Sequence, residues 1–193
     1  VSERTNVSGS RQLAKYIREE KYEEALRIAR EQVQLGADML NISVDEAMVD
    51  SSKEMPDFLN LLTSEPDIAM VPFMIDSSNF EVVESGLKCL QGRSMVNSIS
   101  LKDGEEEFIR KAETIRDLGA AVVVMAFDEN GQAESYQQKV EICERAYNIL
   151  KGKLEFPPED IVFDPNVLAV GTGIEEHKNY ARDFIRAVEW IRK

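Results

Sequence analysis

Short apolar runs alternate with longer amphipathic stretches along the whole chain, and few folds accept that order. The clearest run is AAVVVMAF, residues 120–127. It is continuously apolar, as in a strand covered on both faces. Strands are also predicted at 38–43, 68–75, 94–99 and 161–163, with a short extended start from Glu3 to Val7. Between them the apolar residues follow the helical period. Leu13, Tyr16 and Ile17, then Ala25, Ile28, Ala29 and Val33, line a helical stretch that reaches Leu35 with a break near Glu20–Tyr22. Further helices are predicted over 52–63, 79–90, 104–118, 134–151 and 175–192. Gly36, Gly92 and Gly119 stop three of these helical stretches.

Six strand–helix units in succession call for a parallel sheet with right-handed crossovers. Two α/β architectures compete: an open doubly wound sheet and a (β/α)8 TIM barrel. A complete barrel takes about 250 residues. With 193 residues, six units read as a barrel short of two. No linker or low-complexity segment divides the chain, so residues 1–193 are expected to form one domain. The last residues, VEWIRK, stop at the end of a predicted helix with no tail, which reads as a C-terminally incomplete fragment of a larger enzyme. Two open edge strands would make such a fragment poorly stable alone.

The net charge of −13 argues against a nucleic-acid surface. No apolar run is long enough for a transmembrane helix, and VSERTNVSGS does not read as a signal peptide. A cytoplasmic protein with reduced thiols at Cys89 and Cys143 is expected. His177 is the single histidine, and there is no CxxC pair, so no metal site of the Cys/His type is expected.

Every strand delivers a polar group near its carboxyl end. The first runs into Asn6, the second carries Asn41 and Ser43, and the third ends at Asp76 and Ser77. The fourth holds Asn97 and Ser98, the fifth ends at Asp128, and the sixth at Asp164 and Asn166. In a parallel barrel, and equally in the crevice of an open sheet, these ends face the ligand. Any one of them also reads as a helix cap, Ser77, Ser78 and Asp164 most easily. Asn97 does not, because Ser98, Ile99, Ser100 and Leu101 still follow before a helix can begin.

Carboxylates and carboxamides without a glycine loop or basic residues suit a neutral heterocycle rich in N–H and C=O groups. A phosphate would call for a GxGxxG or Walker sequence, and neither is present; GTG at 171–173 reads as a loop. Mg²⁺ on Asp76, Asp128 and Asp164 is the rival occupant. No cysteine or histidine stands at a strand end to act as a nucleophile.

The stretches ERTNVSGSR (3–11), IDSSN (75–79), GLKCLQG (86–92), VNSISLKDGE (96–105), VVVMAFDENGQA (122–133), FPPEDIVFDPN (156–166) and GTGIEEH (171–177) are spread over essentially the whole chain. They closely resemble the folate-binding module of cobalamin-dependent methionine synthases, within the wider pterin-binding group that includes dihydropteroate synthase and the corrinoid-protein methyltransferases. The resemblance implies a pterin-binding (β/α)8 barrel with about six of its eight units in this chain. It implies 5-methyltetrahydrofolate as ligand, with its N5 methyl passed to cob(I)alamin on another module in methionine biosynthesis. Zinc would belong to the homocysteine-binding module and not to this chain. Asp76, Asn97 and Asp164 match the family's pterin contacts, and Gly9, Ser10 and Arg11 line the folate site. Asn6 and Asn166 are implied neighbours. The family's N5-contacting Asn lies on a seventh strand outside this sequence, so no catalytic residue is assigned here. A folate-binding module without activity, and a methyltransferase acting on a corrinoid protein, are the alternative readings. The chain departs from the family at Ser2 (usually Gly), at Asn41 and Ser43 (usually Asp-x-Asn) and at Ala47 (usually Gly, less often Ala).

Overall fold

A computed structural model describes residues 1–193, apart from the side chain of Glu176. The strands are β1 (Leu40–Ile42), β2 (Phe73–Asp76), β3 (Met95–Ile99), β4 (Ala121–Met125), β5 (Phe127–Asp128), β6 (Gly131–Gln132) and β7 (Ile161–Asp164). The helices are α1 (Arg11–Arg18), α2 (Tyr22–Gln34), α3 (Ser51–Ser64), α4 (Pro66–Ala69), α5 (Phe80–Leu87), α6 (Glu105–Asp117), α7 (Tyr136–Leu154) and α8 (Tyr180–Ile191). Five strands form one sheet in the order β1-β2-β3-β4-β7, while β5 and β6 make a small antiparallel hairpin. The registered pairs β1–β2, β2–β3 and β4–β7 are all parallel. The α/β class with helical crossovers therefore holds.

The chain divides into two compact units, Val1–Asn97 with Asp117–Ala121, and Ser98–Arg116 with Val122–Lys193. In the first, α3 sets Met55, Phe58, Leu59 and Leu62 into the core, against Val82, Val83 and Leu87 of α5 and Ile75 of β2. Gly86 is what lets α3 and α5 approach. A Cβ there would stand 3.0 Å from Met55 Cγ and 3.1 Å from Leu59 Cδ1. Overpacking costs about 1–3 kcal/mol, and the better helix propensity of alanine returns about 1 kcal/mol. Gly86→Ala is therefore expected to destabilise the chain by about 1 kcal/mol, read from the midpoint of urea unfolding; a gain in stability would show that the two helices have room to spare.

In the second unit, Phe108, Ala112 and Ile115 of α6 and Ile142, Cys143, Ala146, Ile149 and Leu150 of α7 are buried at helical spacing. A reciprocal capping box starts α7. Ser135 Oγ accepts from the Gln138 N–H, and Gln138 Oε1 accepts from the Ser135 N–H at 3.0 Å.

Four sequence expectations change. The strand predicted at 68–75 begins only at Phe73. Ile68 and Ala69 lie in α4 instead, because Pro66 at its first position is preset for a helix and Glu65 before it is extended. The extended start, Glu3 to Val7, is no regular strand. It touches β1 and the residue after it through two isolated parallel bridges, Ser2–Leu40 and Asn6–Ser43, with a turn between them. The run 120–127 ends its sheet pairing at Met125, and the chain bends at Ala126 into the β5–β6 hairpin. The last helix opens as a 3-10 turn, Glu175–Asn179, before α8. The break near Glu20–Tyr22 is where α1 gives way to α2, with Glu20 at φ 54°.

Candidate functional site

In the first unit, polar side chains converge on the last residue of β2. Asp76 stands in register opposite Asn97 of β3. Its Oδ2 accepts from Asn6 Nδ2 at 2.9 Å, from Asn41 Nδ2 at 3.1 Å and, at a long 3.4 Å, from Asn97 Nδ2. A carboxylate oxygen has two good acceptor directions, so the third carboxamide is the least committed. No side chain among the described residues donates to Asp76 Oδ1. Burial lifts the Asp76 carboxyl above its ordinary value; the Glu3 and Asp45 charges add to this, and the Asn41 and Asn6 hydrogen bonds oppose it.

Asn41 is 1% exposed and spends both of its N–H groups on acids, one on Asp76 and one on Glu3 Oε2 at 2.7 Å. Its Oδ1 is buried and has no partner. A buried acceptor left open is costly unless something donates to it. Asn6 is fixed in turn, since its Oδ1 accepts from the Ser8 N–H at 2.9 Å.

The rest of the IDSSN stretch is scaffold. Ser77 and Ser78 do not cap α5. Their hydroxyls and the Ser78 N–H donate to the Asp45 carboxylate at 2.7–3.0 Å, tying the strand end to the loop after β1. The cap is Asn79, whose side chain accepts from the Glu81 N–H at 3.0 Å. Ser10 caps α1 by accepting from the Leu13 N–H. Gly9 sits where a Cβ would lie 3.0 Å from the Glu3 carbonyl. Arg11 is exposed at the first turn of α1. Two of the family departures have local roles. Ser2 donates its hydroxyl to Gln32 Oε1, and the hydroxyl of buried Ser43 accepts from the Asp45 N–H at a long 3.5 Å.

In the second unit, β7 ends at Asp164. Its Oδ1 accepts from the Asn166 N–H at 2.8 Å, an Asx turn around Pro165 and no helix cap. Asn166 is 2% exposed, holds φ 60°, and donates its carboxamide to the Ala126 carbonyl at 2.5 Å. Its Oδ1, like that of Asn41, is buried without a partner. Asp128 is occupied in its own hairpin turn, accepting from the Asn130 N–H at 2.9 Å and from Asn130 Nδ2 at 3.3 Å. Among the described residues no group of three His, Cys, Asp or Glu side chains is placed to hold a metal ion.

A family model described as pterin binding enzyme matches residues 2–193. The chain belongs to that family. The pterin-binding enzymes are of the TIM-barrel type, and the parallel sheet with its intervening helices is consistent with part of a (β/α)8 barrel. A ligand of the folate or pterin type follows from the membership. Among the described residues no helix is long and apolar enough to cross a membrane.

Three contributors escaped the sequence reading: Glu3, Asp45 and Lys139. Lys139 alone left a signal. It falls on the buried stripe of α7, three and four residues before Ile142 and Cys143, where a lysine is out of place.

Proposed function

We propose that this pterin-binding chain takes up 5-methyltetrahydrofolate and orients its N5 methyl for transfer to cob(I)alamin carried on another module, the folate half-reaction of methionine synthesis. The observation that supports this most is the pair of acceptors on neighbouring strands β1 and β2: the buried Asn41 Oδ1, which has no partner, and Asp76 Oδ1, since the described side-chain donors to this carboxylate all meet Oδ2. Acceptors without protein donors fit the amino-pyrimidinone edge of a pterin, which offers neighbouring N–H groups. Asn97, held only loosely by Asp76, is free to donate to the ring. The roles of Asp164, Asn166, Gly9, Ser10, Arg11 and Asn6 in folate binding come with the resemblance and share this proposal.

A tertiary amine leaves poorly, so N5 gains a proton as the methyl departs. Preorganised hydrogen bonds that hold the pterin and stabilise charge at N5 lower that barrier without a rearrangement at the moment of reaction. Reduced cobalt supplies the nucleophile when the cobalamin module docks, which fits a chain with no Cys or His at a strand end.

Calorimetric titration of 5-methyltetrahydrofolate into the chain, then a single-turnover assay following the cob(I)alamin spectrum, tests the reading. Binding followed by methylation of the corrinoid is expected. Binding without transfer would leave a folate-binding module lacking activity. No binding by a folded chain would overturn the proposal.

A further inference from the structure

We propose that Lys139 is a positioning residue for the ligand site, a buried ammonium that clamps the Asp164–Asn166 turn so that the Asp164 carboxylate and the open Asn166 carboxamide oxygen stand ready for the pterin. The inference rests on the folate reading above.

Lys139 is wholly buried. Its Nζ donates to the Ala133 carbonyl at 2.9 Å, the Pro165 carbonyl at 2.6 Å and the Asn166 carbonyl at 3.0 Å. An ammonium has three N–H groups, and all three are used. No carboxylate is among the partners. A buried cation satisfied only by backbone is an expensive way to fill a core position, for which leucine or methionine would serve.

The acceptors say what the arrangement secures. One carbonyl precedes α7, and the other two flank the bend that follows β7. Asn166 holds a left-handed backbone there, a conformation that asparagine tolerates better than most residues other than glycine. Lys139 grips the carbonyl side of that bend. The N–H side is gripped by Asp164 Oδ1, and the Asn166 side chain is anchored on the Ala126 carbonyl. What remains unpaired is Asn166 Oδ1, which is the group a ligand donor would meet. The clamp thus acts on the two residues that the resemblance assigns to folate, and it does so without touching the ligand.

The charge state is part of the clamp. Burial draws the Lys139 ammonium below the ordinary lysine value, while Asp164 on β7, Cys143 on its own helix, Asp183 on α8 and Glu134 before α7 pull the other way. The three-donor form is complete below that lowered value. As pH rises through it, one N–H is lost and a lone pair faces a carbonyl.

The test compares the wild-type chain with Lys139→Met, a side chain of similar length that donates nothing. 5-Methyltetrahydrofolate affinity is measured by calorimetry from neutral to alkaline pH, and amide hydrogen exchange is followed at Asn166. A folded Lys139→Met is expected to bind about tenfold more weakly at neutral pH and to exchange the Asn166 amide faster. The affinity ratio should shrink toward one as the wild-type ammonium deprotonates. A folded variant with unchanged exchange and affinity overturns the clamp, and so does a ratio that stays constant with pH, because a space-filling lysine gives no pH term. If Lys139→Met does not fold, the wild type decides alone. Its affinity must fall along the titration curve of the Lys139 side-chain nitrogen, and a flat affinity overturns the proposal. A folded wild type that binds no folate at any pH removes the pterin reading instead, and the exchange at Asn166 then judges the clamp by itself.

Discussion

Asp76→Asn is expected to weaken 5-methyltetrahydrofolate binding by about a hundredfold or more while the chain stays folded. A hydrogen bond from the pterin edge to the open oxygen of this charged group contributes about 1.5–3 kcal/mol, and the variant adds a clash of donors to that loss. The carboxamide fails whichever way it turns. With its oxygen toward Asn6 and Asn41, which both donate to Asp76 Oδ2 in the native chain, its NH₂ meets the ligand's own donors. Turned over, donors face donors inside the protein. Stability should move little, because the variant also removes a carboxylate that burial already disfavours. The sign can be checked. The folded-state value lies above the unfolded one, so the contribution of Asp76 to stability is largest at low pH and declines as pH rises past the unfolded value, 3.8. Removing the charge does no harm at neutral pH on that account. Ligand affinity runs the opposite way: the ionised form accepts the pterin donors, so wild-type affinity falls as the pH drops through the raised Asp76 value, and the variant lacks that limb. Isothermal titration carried from pH 7 downward, with a thermal melt beside it, reads all of this. Equal affinity for the two proteins would remove Asp76 from the site.

The order of strands and helices was legible because helical periodicity and continuous apolar runs are local signals. Of Phe58, Leu61 and Leu62, expected on one helix face, Phe58 and Leu62 are buried while Leu61 is half-buried and Leu59 is buried in its stead; later, Ile142, Cys143 and Ala146 are buried at helical spacing. What misled was tertiary or turn-level. Ile68 and Ala69 look like a strand by composition, but Pro66 after an extended Glu65 starts a turn of helix first. Asp76 was legible as a strand-end acid, and Asp128 looked the same, yet Asp128 closes its own hairpin with Asn130. Nothing local separates the two. Asp76 differs by what distant Asn6 and Asn41 bring to it, which only the fold reveals. The same holds for Ser77 and Ser78, whose partner Asp45 lies more than thirty residues away.

Asn41→Asp is expected to destabilise the chain by about 4 kcal/mol at pH 7 and to recover as the solution is acidified. The family resemblance has an aspartate at this position, and by sequence the asparagine looks like a lost polar group. In this fold it is the donor that lets Glu3 and Asp76 stand side by side, with one N–H for each. Exposed Glu3 can swing into water if that bond goes. Asp76 is half-buried at its strand end and its carboxyl already resists ionisation. A new carboxylate about 3 Å from Asp76 Oδ2 must therefore share a proton with it, as paired acids do. Holding a proton on a carboxyl of ordinary value near 4 costs about 1.4 kcal/mol per pH unit, or about 4 kcal/mol at pH 7. The folded state binds the extra proton and the unfolded state does not, so stability falls as pH rises from about 4. Urea unfolding at pH 5 and pH 7 should differ by about 2.7 kcal/mol more in the variant than in the wild type. A loss of stability that is the same at both pH values would mean that the substitution disturbs packing alone, and that Asn41 is not what keeps the two acids compatible.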